Sequence, residues 1–274
     1  MLKLLLRGIL FVWAIAVTYP LFWTVSTSLK STQQFNMDDP WSLPKWPLQL
    51  VNFADAWNKS HFGDYFLNSV IVVVAAVILS LLMSATTSFM IARHPFRGSK
   101  LLFVFYISTM MVPTILSLIP LFFTLSSVGL TDSLTGLTLV YAVMQVPFGI
   151  FVLTGFFKAL PRELEEAATI DGCGLFSSFF VILLPLARSG LVTVGIMNAL
   201  TYWNEYVISL ILISSPGKYT VSLGLAFLQG EMQYSVDWGI LFAGLVISVI
   251  PVFLVYILFQ KYITEGLISG ALKG

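Results

Sequence analysis

The chain has 274 residues, of which 58% are hydrophobic and only 10% charged, with a net charge of +1. A soluble protein carries roughly 25% charged residues, so a surface this poor in charge belongs in a bilayer, and the near-zero net charge argues against a nucleic-acid partner. Cys173 is the only cysteine and the two histidines, His61 and His94, lie far apart in unrelated loops, which excludes an intrachain disulfide and leaves no metal-ligand spacing.

A membrane-spanning helix needs about 20 mostly apolar residues, and six stretches qualify. They run approximately over 8–29, 65–92, 101–125, 134–157, 186–213 and 238–260. The first follows Lys3 and Arg7 and is too long for a signal-peptide core, so a retained helix is expected. The third contains Pro113 and Pro120, the fourth Pro147 and the sixth Pro251. Prolines at membrane depth free backbone carbonyls that neighbouring helices or water must satisfy, which favours a packed, bent bundle over six straight rods. The expected fold is an all-α membrane protein in which residues 1–274 form a single transmembrane domain.

Orientation follows from the lysines and arginines. With the N-terminus inside, ten of the fourteen are internal: Lys3, Arg7, Arg93, Arg97, Lys100, Lys158, Arg162, Arg188, Lys261 and Lys273. Lys30, Lys45, Lys59 and Lys218 are external. Both termini are then cytoplasmic, as is the connector 158–185 between the fourth and fifth helices. Of the two long outer segments, Lys30–Asp64 carries Trp41, Trp46 and Trp57 and reads as an interfacial loop with aromatic anchors. Ser214–Asp237 reads as a loop reaching an external partner.

The connector holds Arg162, Glu163, Glu165, Glu166 and Asp171. Pro161 suits a first helical turn, and Glu163 and Glu165 sit near the positive end of the helix that follows. Leu164, Ala167, Ala168 and Asp171 recur at i, i+3, i+4 and i+7, one helix face. Gly172 is placed to end that helix in a left-handed conformation. So short a helix is marginal alone, and two readings stay open: docking into a groove of a partner or lying on the membrane surface.

Nucleotide chemistry has no home in this chain. Ser215-Pro216-Gly217-Lys218-Tyr219 lacks the upstream glycine and the following Ser/Thr of a phosphate-binding loop. Glu205 is the only acid well inside an expected span. Asn198, Thr201, Tyr202, Glu205 and Ser209 fall on one face of the fifth helix by the 3.6-residue period, as a polar wall lining a path or as glue between helices. Gln145 beside Pro147 is a second lining candidate. A secondary transporter working alone would need several coupling-ion ligands or paired broken helices, and a single buried acid with no evident repeat argues against it. No Ser/His, paired-carboxylate or metal-ligand cluster suggests an intramembrane enzyme.

Glu166-Ala167-Ala168, then Gly172, then Ile182, Leu184 and Pro185 match the EAA signature. In this the chain resembles the permease subunits of bacterial binding-protein-dependent ABC importers. The resemblance spans nearly the whole chain, since six helices with this loop before the fifth is the family's layout. Tyr19-Pro20-Leu21-Phe22-Trp23, Ser28-Leu29-Lys30, Asn68-Ser69, Trp203-Asn204-Glu205-Tyr206 and Gly266-Leu267-Ile268-Ser269-Gly270 look like the carbohydrate branch, and the chain looks like the shorter, maltose-type member of a heterodimeric pair.

The resemblance implies a non-catalytic subunit in the bacterial inner membrane. It implies a second permease subunit, two cytoplasmic ABC ATPases that bind ATP and magnesium, and an extracytoplasmic sugar-binding protein. It makes Leu164, Glu166, Ala167, Ala168, Asp171 and Gly172 the ATPase-coupling residues. Gln145, Asn198, Tyr202 and Glu205, read from their own placement rather than from the resemblance, are the expected substrate path. Gly230, Glu231, Gln233 and Tyr234 become contacts to the binding protein. An importer for a non-sugar solute is the alternative within the same class.

Overall fold

A computed structural model of the protein describes residues 2–231 and 237–271, and every regular element among them is helical. In chain order these are α1 (Leu2–Ser28), α2 (Thr32–Met37), α3 (Val51–Asn58), α4 (Phe62–Arg93), α5 (Ser99–Thr109), α6 (Thr114–Ser127), α7 (Leu134–Met144) and α8 (Val146–Ala159). Then come α9 (Glu163–Ile170), α10 (Leu175–Ser177), a π-helical turn (Ser178–Leu183), α11 (Leu184–Leu186), α12 (Arg188–Trp203), α13 (Val207–Leu212), α14 (Val221–Glu231) and α15 (Trp238–Ala271).

Three helices are long and apolar enough to cross a membrane alone: α1, α4 and α15. Three bent pairs pass the same test together, giving up to six spans. These are α5 with α6, bent by 101°, α7 with α8, bent by 43°, and residues 175–186 with α12, bent by 75°. The continuous helices expected over 101–125, 134–157 and 186–213 are therefore interrupted. Pro113 sits at the N-cap of α6 and Pro147 in the first turn of α8, where a missing N–H is harmless at a helix start but would break a helix interior. Pro20, Pro120 and Pro251 stay inside helices. The fifth stretch bends at Ala187, ends at Trp203 and resumes at Val207.

The chain divides into two compact units. The first takes residues up to Leu67 and Tyr219–Phe253. Its 30–61 stretch is folded rather than loose: Asn52 Nδ2 donates to the carbonyls of Ser28 (2.8 Å) and Lys30 (2.9 Å). Trp23 donates to the Pro40 carbonyl and meets Phe242 edge-on at 5.1 Å. Lys30 is buried, and that burial pushes its ammonium below the usual lysine value against the pull of Asp38 and Asp39. Of the three tryptophans read as anchors, Trp46 is the most exposed.

The segment expected as an outer loop, 214–237, holds helix at 216–218 and 221–231 among its described residues. α14 buries Val221 and Leu223 and stacks Phe227 on Tyr219 at 4.7 Å. Eleven residues are too few to register as a span. Gly224 lies so close to the Tyr65 ring that no side chain would fit there.

The second unit takes Asn68–Lys218 and the chain from Leu254. Its centre is a stripe on α4, Ser80, Ser84 and Ser88, all fully buried. Ser84 and Ser88 hydroxyls reach the carbonyls of Val146 and Ile150 at 3.4 and 3.3 Å, and Gly149 leaves the room that the Ser84 side chain fills. Small residues and hydroxyls at a helix contact are how apolar helices associate where burial from water supplies no drive. Beside the stripe, Phe89, Phe157 and Phe179 form an aromatic knot with ring centroids 4.8–6.1 Å apart, within a core that includes Leu153, Leu183 and Val194.

Candidate functional site

Two features of the second unit carry chemistry, the connector helix α9 and a cavity. The connector opens with Arg162 as N-cap, and Glu163, Glu165 and Glu166 fill the first turn, where the helix dipole favours carboxylates. It closes as sequence spacing anticipates. Gly172 has φ +79°. The Cys173 amide donates to the Ala168 carbonyl (2.9 Å) and the Gly172 amide to Thr169 (3.1 Å), the paired bonds of a Schellman cap. Beneath it the chain continues through α10 into the π-helical turn. There the Leu184 amide reaches back to Phe179, next to Pro185, which has no amide to offer.

What holds α9 in place was not visible in the sequence. Arg93, at the end of α4 and only 4% exposed, donates through Nε to Glu165 Oε2 at 2.9 Å. Its two terminal nitrogens donate to the carbonyls of Leu160 (2.8 Å) and Pro161 (3.1 Å). His94 Nε2 lies 2.6 Å from Glu165 Oε1, an ion pair when the ring is protonated, though without hydrogen-bond geometry. One planar guanidinium thus fixes both the entry to α9 and its first turn.

The clasp divides the face expected from periodicity. Ala168 is 3% exposed and packs inward, while Leu164, Glu166, Ala167, Asp171 and Gly172 are exposed. Ile170 and Phe176 join that outer surface at 85% and 78% exposure.

The cavity has a volume of about 1150 Å³ and is walled by parts of α4, α5, α6, α7, α8, α12 and α13. Gln145, Thr201, Tyr202 and Glu205 line it. Asn198 does not: it is fully buried and donates to Ser80 Oγ at 2.9 Å. The single polar face read across Asn198 to Ser209 assumed an unbroken helix. Because α12 ends at Trp203, Glu205 and Ser209 leave its register.

Glu205 sits in the break. Its Oε1 accepts the Ile208 amide (2.7 Å), and its Oε2 accepts the Ser209 amide (3.2 Å) and the Tyr141 hydroxyl (2.6 Å). It caps the start of α13, where unpaired amides and the dipole favour an anion. Tyr141 and Tyr202 stack with centroids 5.3 Å apart and planes 10° from parallel. The sequence reading missed Tyr141, whose partner lies 64 residues away. Of the expected outer contacts, Gly230 is exposed and Glu231 ends α14. Gln233 and Tyr234 lie outside the described residues.

Bent apolar helices around a largely apolar cavity with a few polar groups, and a short exposed helix between two of them, are the build of a membrane permease. The chain belongs to the binding-protein-dependent transport system inner membrane component family, which residues 84–269 match. It is 38% identical over 268 residues to the diacetylchitobiose uptake system permease protein NgcG of Streptomyces coelicolor, covering 97% of this chain and 88% of that protein. It is 30% identical to the sulfoquinovosyl glycerol transport system permease protein SmoH of Agrobacterium fabrum, covering 93% of this chain and 89% of that one. In fold it is similar to a chain of a bacterial ABC transporter involved in the import of the acidic polysaccharide alginate, with TM-score 0.84 at 22% identity over 95% of this chain and 96% of that chain.

Proposed function

We propose that this chain is one of two membrane-spanning permease subunits of an ATP-driven importer for a sugar or oligosaccharide. It forms half of the translocation path and couples to a cytoplasmic ATPase through α9. Both termini and the 158–185 connector lie on the cytoplasmic side. ATP and magnesium bind to the two ATPase subunits, and an external binding protein delivers the sugar. The observation that carries this reading is the mounting of α9. A clasp at Arg93 and a left-handed stop at Gly172 hold a two-turn helix rigidly, with Leu164, Glu166, Ala167 and Asp171 turned outward. A helix so short gains stability only from what it packs against, and a rigid mount transmits a push that a loose loop would absorb. Sugar as solute is supported by the transport systems named for the relatives NgcG and SmoH. Within the proposed path, Gln145, Tyr202 and Glu205 face the cavity, and Asn198 holds its wall together.

Affinity purification of the tagged chain in mild detergent tests this. The expected eluate contains a second permease and an ABC ATPase, and its ATP hydrolysis rises when sugar-loaded binding protein is added. Solute uptake by the chain alone in liposomes, without ATP, would instead indicate a secondary transporter. Stimulation by a non-sugar solute would move the assignment to another importer of the same family.

A further inference from the structure

The cavity has a single charged group in its described lining, Glu205. Thr86, Thr109, Ser117 and Thr201 all line it. Each hydroxyl proton is already directed at its own helix: Thr86 to Leu82 (2.7 Å), Thr109 to Tyr106 (2.7 Å), Ser117 to Thr114 (2.7 Å) and Thr201 to Met197 (2.9 Å). A hydroxyl has one proton and two acceptor lone pairs. With the proton engaged, what these four residues offer the cavity is acceptors, while Thr87, Thr114 and Tyr106 bring hydroxyls that can donate as well as accept. Glu205 adds a carboxylate, also acceptor-only. Among the described residues that line the cavity there is no lysine, arginine or histidine. Gln145 contributes an amide with two donor hydrogens and one acceptor.

A carboxylated, sulfonated or phosphorylated saccharide presents acceptor-only groups and a negative charge. It would meet the Glu205 carboxylate with no cationic side chain among the described lining residues to offset it, at an effective dielectric constant well below that of water. A neutral saccharide brings a hydroxyl donor for every acceptor.

Resting on the reading of this chain as a sugar-importer permease, we propose that this cavity passes neutral saccharides and rejects acidic ones. It would thereby differ in substrate class from an importer of an acidic polysaccharide with the same fold.

The test uses cells carrying the complete transport system and a panel of radiolabelled di- and trisaccharides in matched neutral and uronate-bearing forms. Uptake is compared among wild type, Thr86→Val and Thr201→Val. Valine keeps the shape and removes the acceptor, and immunoblotting of membranes shows that the variants insert. The expected result is that a neutral saccharide enters at least about tenfold faster than its uronate counterpart. Each variant should also raise the half-saturating concentration of the neutral sugar about three- to tenfold, the scale of one lost hydrogen bond. Uronate uptake equal to or faster than neutral uptake would overturn the proposal and leave the importer reading standing. So would neutral uptake within twofold of wild type in both variants. Uptake of no saccharide of either charge, with no sugar stimulating ATP hydrolysis, would overturn the importer reading itself.

Discussion

Gly172 shows how one backbone angle can decide a helix end. At φ +79° a side chain would have open space around it, so any cost of substitution comes from the backbone alone. A β-branched residue there is strained by about 1–3 kcal/mol, whereas asparagine tolerates the left-handed region. Gly172→Val should abolish sugar uptake with the protein still in the membrane, and Gly172→Asn should keep most of it. Normal uptake by the valine variant would contradict the coupling role of α9.

Asp132 is the opposite case, a residue whose importance no local pattern announces. It too is left-handed, at φ 48°. Its carboxylate accepts from the Ser215 hydroxyl, the Ser214 and Ser215 amides and Lys218 Nζ, pinning the turn before α7 to the one after α13. The Ser215 hydroxyl first, then the Ser215 amide and Lys218, hold its carboxyl well below the usual carboxylate range. A depressed folded-state value gives stability that is fully present above the unfolded value near 3.9. That stability is lost as pH falls further, through the folded value. Asp132→Asn should lower the melting temperature in detergent at neutral pH by the equivalent of about 1 kcal/mol. The gap from wild type should narrow as the pH drops below about 4. Gly172 was legible because a helix stop is local. Asp132 was not, because its partners lie 82–86 residues away.

At the scale of elements, the clasp between α4 and α9 matters most. Arg93 and Glu165 are largely buried, and removing one member of a buried pair costs about 3–5 kcal/mol because the other is left uncompensated. Here the loss falls on the mount of a short helix, not on the spans. Glu165→Gln should therefore leave the chain inserted and lower the amount of sugar moved per ATP hydrolysed several-fold. Arg93→Lys should fail to restore it, since an ammonium cannot bond a carboxylate and two carbonyls in one plane. An unchanged sugar-to-ATP ratio in both variants would show that α9 needs no such support.

Periodicity located α9 and its outward residues. It did not foresee that Ala168 faces inward, because a 3.6-residue repeat defines a stripe without saying how much of it the chain's own fold covers. The same limit applied to the fifth stretch. Asn204-Glu205-Tyr206 is a polar interruption of the fifth stretch, yet the 3.6-residue repeat carried one face across it, and only the observed break shows that Glu205 caps α13 instead of extending a polar face from α12.

For the molecule as a whole, composition settled the solvent and hydropathy settled where the apolar segments lie. Which prolines interrupt them was not settled. Pro113 and Pro147 mark breaks while Pro20, Pro120 and Pro251 do not. The segment 214–237, expected as an outer loop, concealed α14 because eleven residues fall short of a span. Large apolar side chains of α1 are exposed, Phe11 and Trp13 at 68% each. Surface of that kind is covered by lipid or by another subunit, consistent with a chain that works within an assembly.

The most direct test of the account is a crosslink from the outer face of α9. Glu166→Cys in a Cys173→Ser background carries the only thiol in the chain, and it can be labelled with a photoactivatable benzophenone in the purified complex. The account predicts that illumination joins it to the ATPase subunit and blocks sugar-stimulated hydrolysis. Adducts only with lipid, or with the external binding protein, while sugar still crosses the membrane, would contradict it.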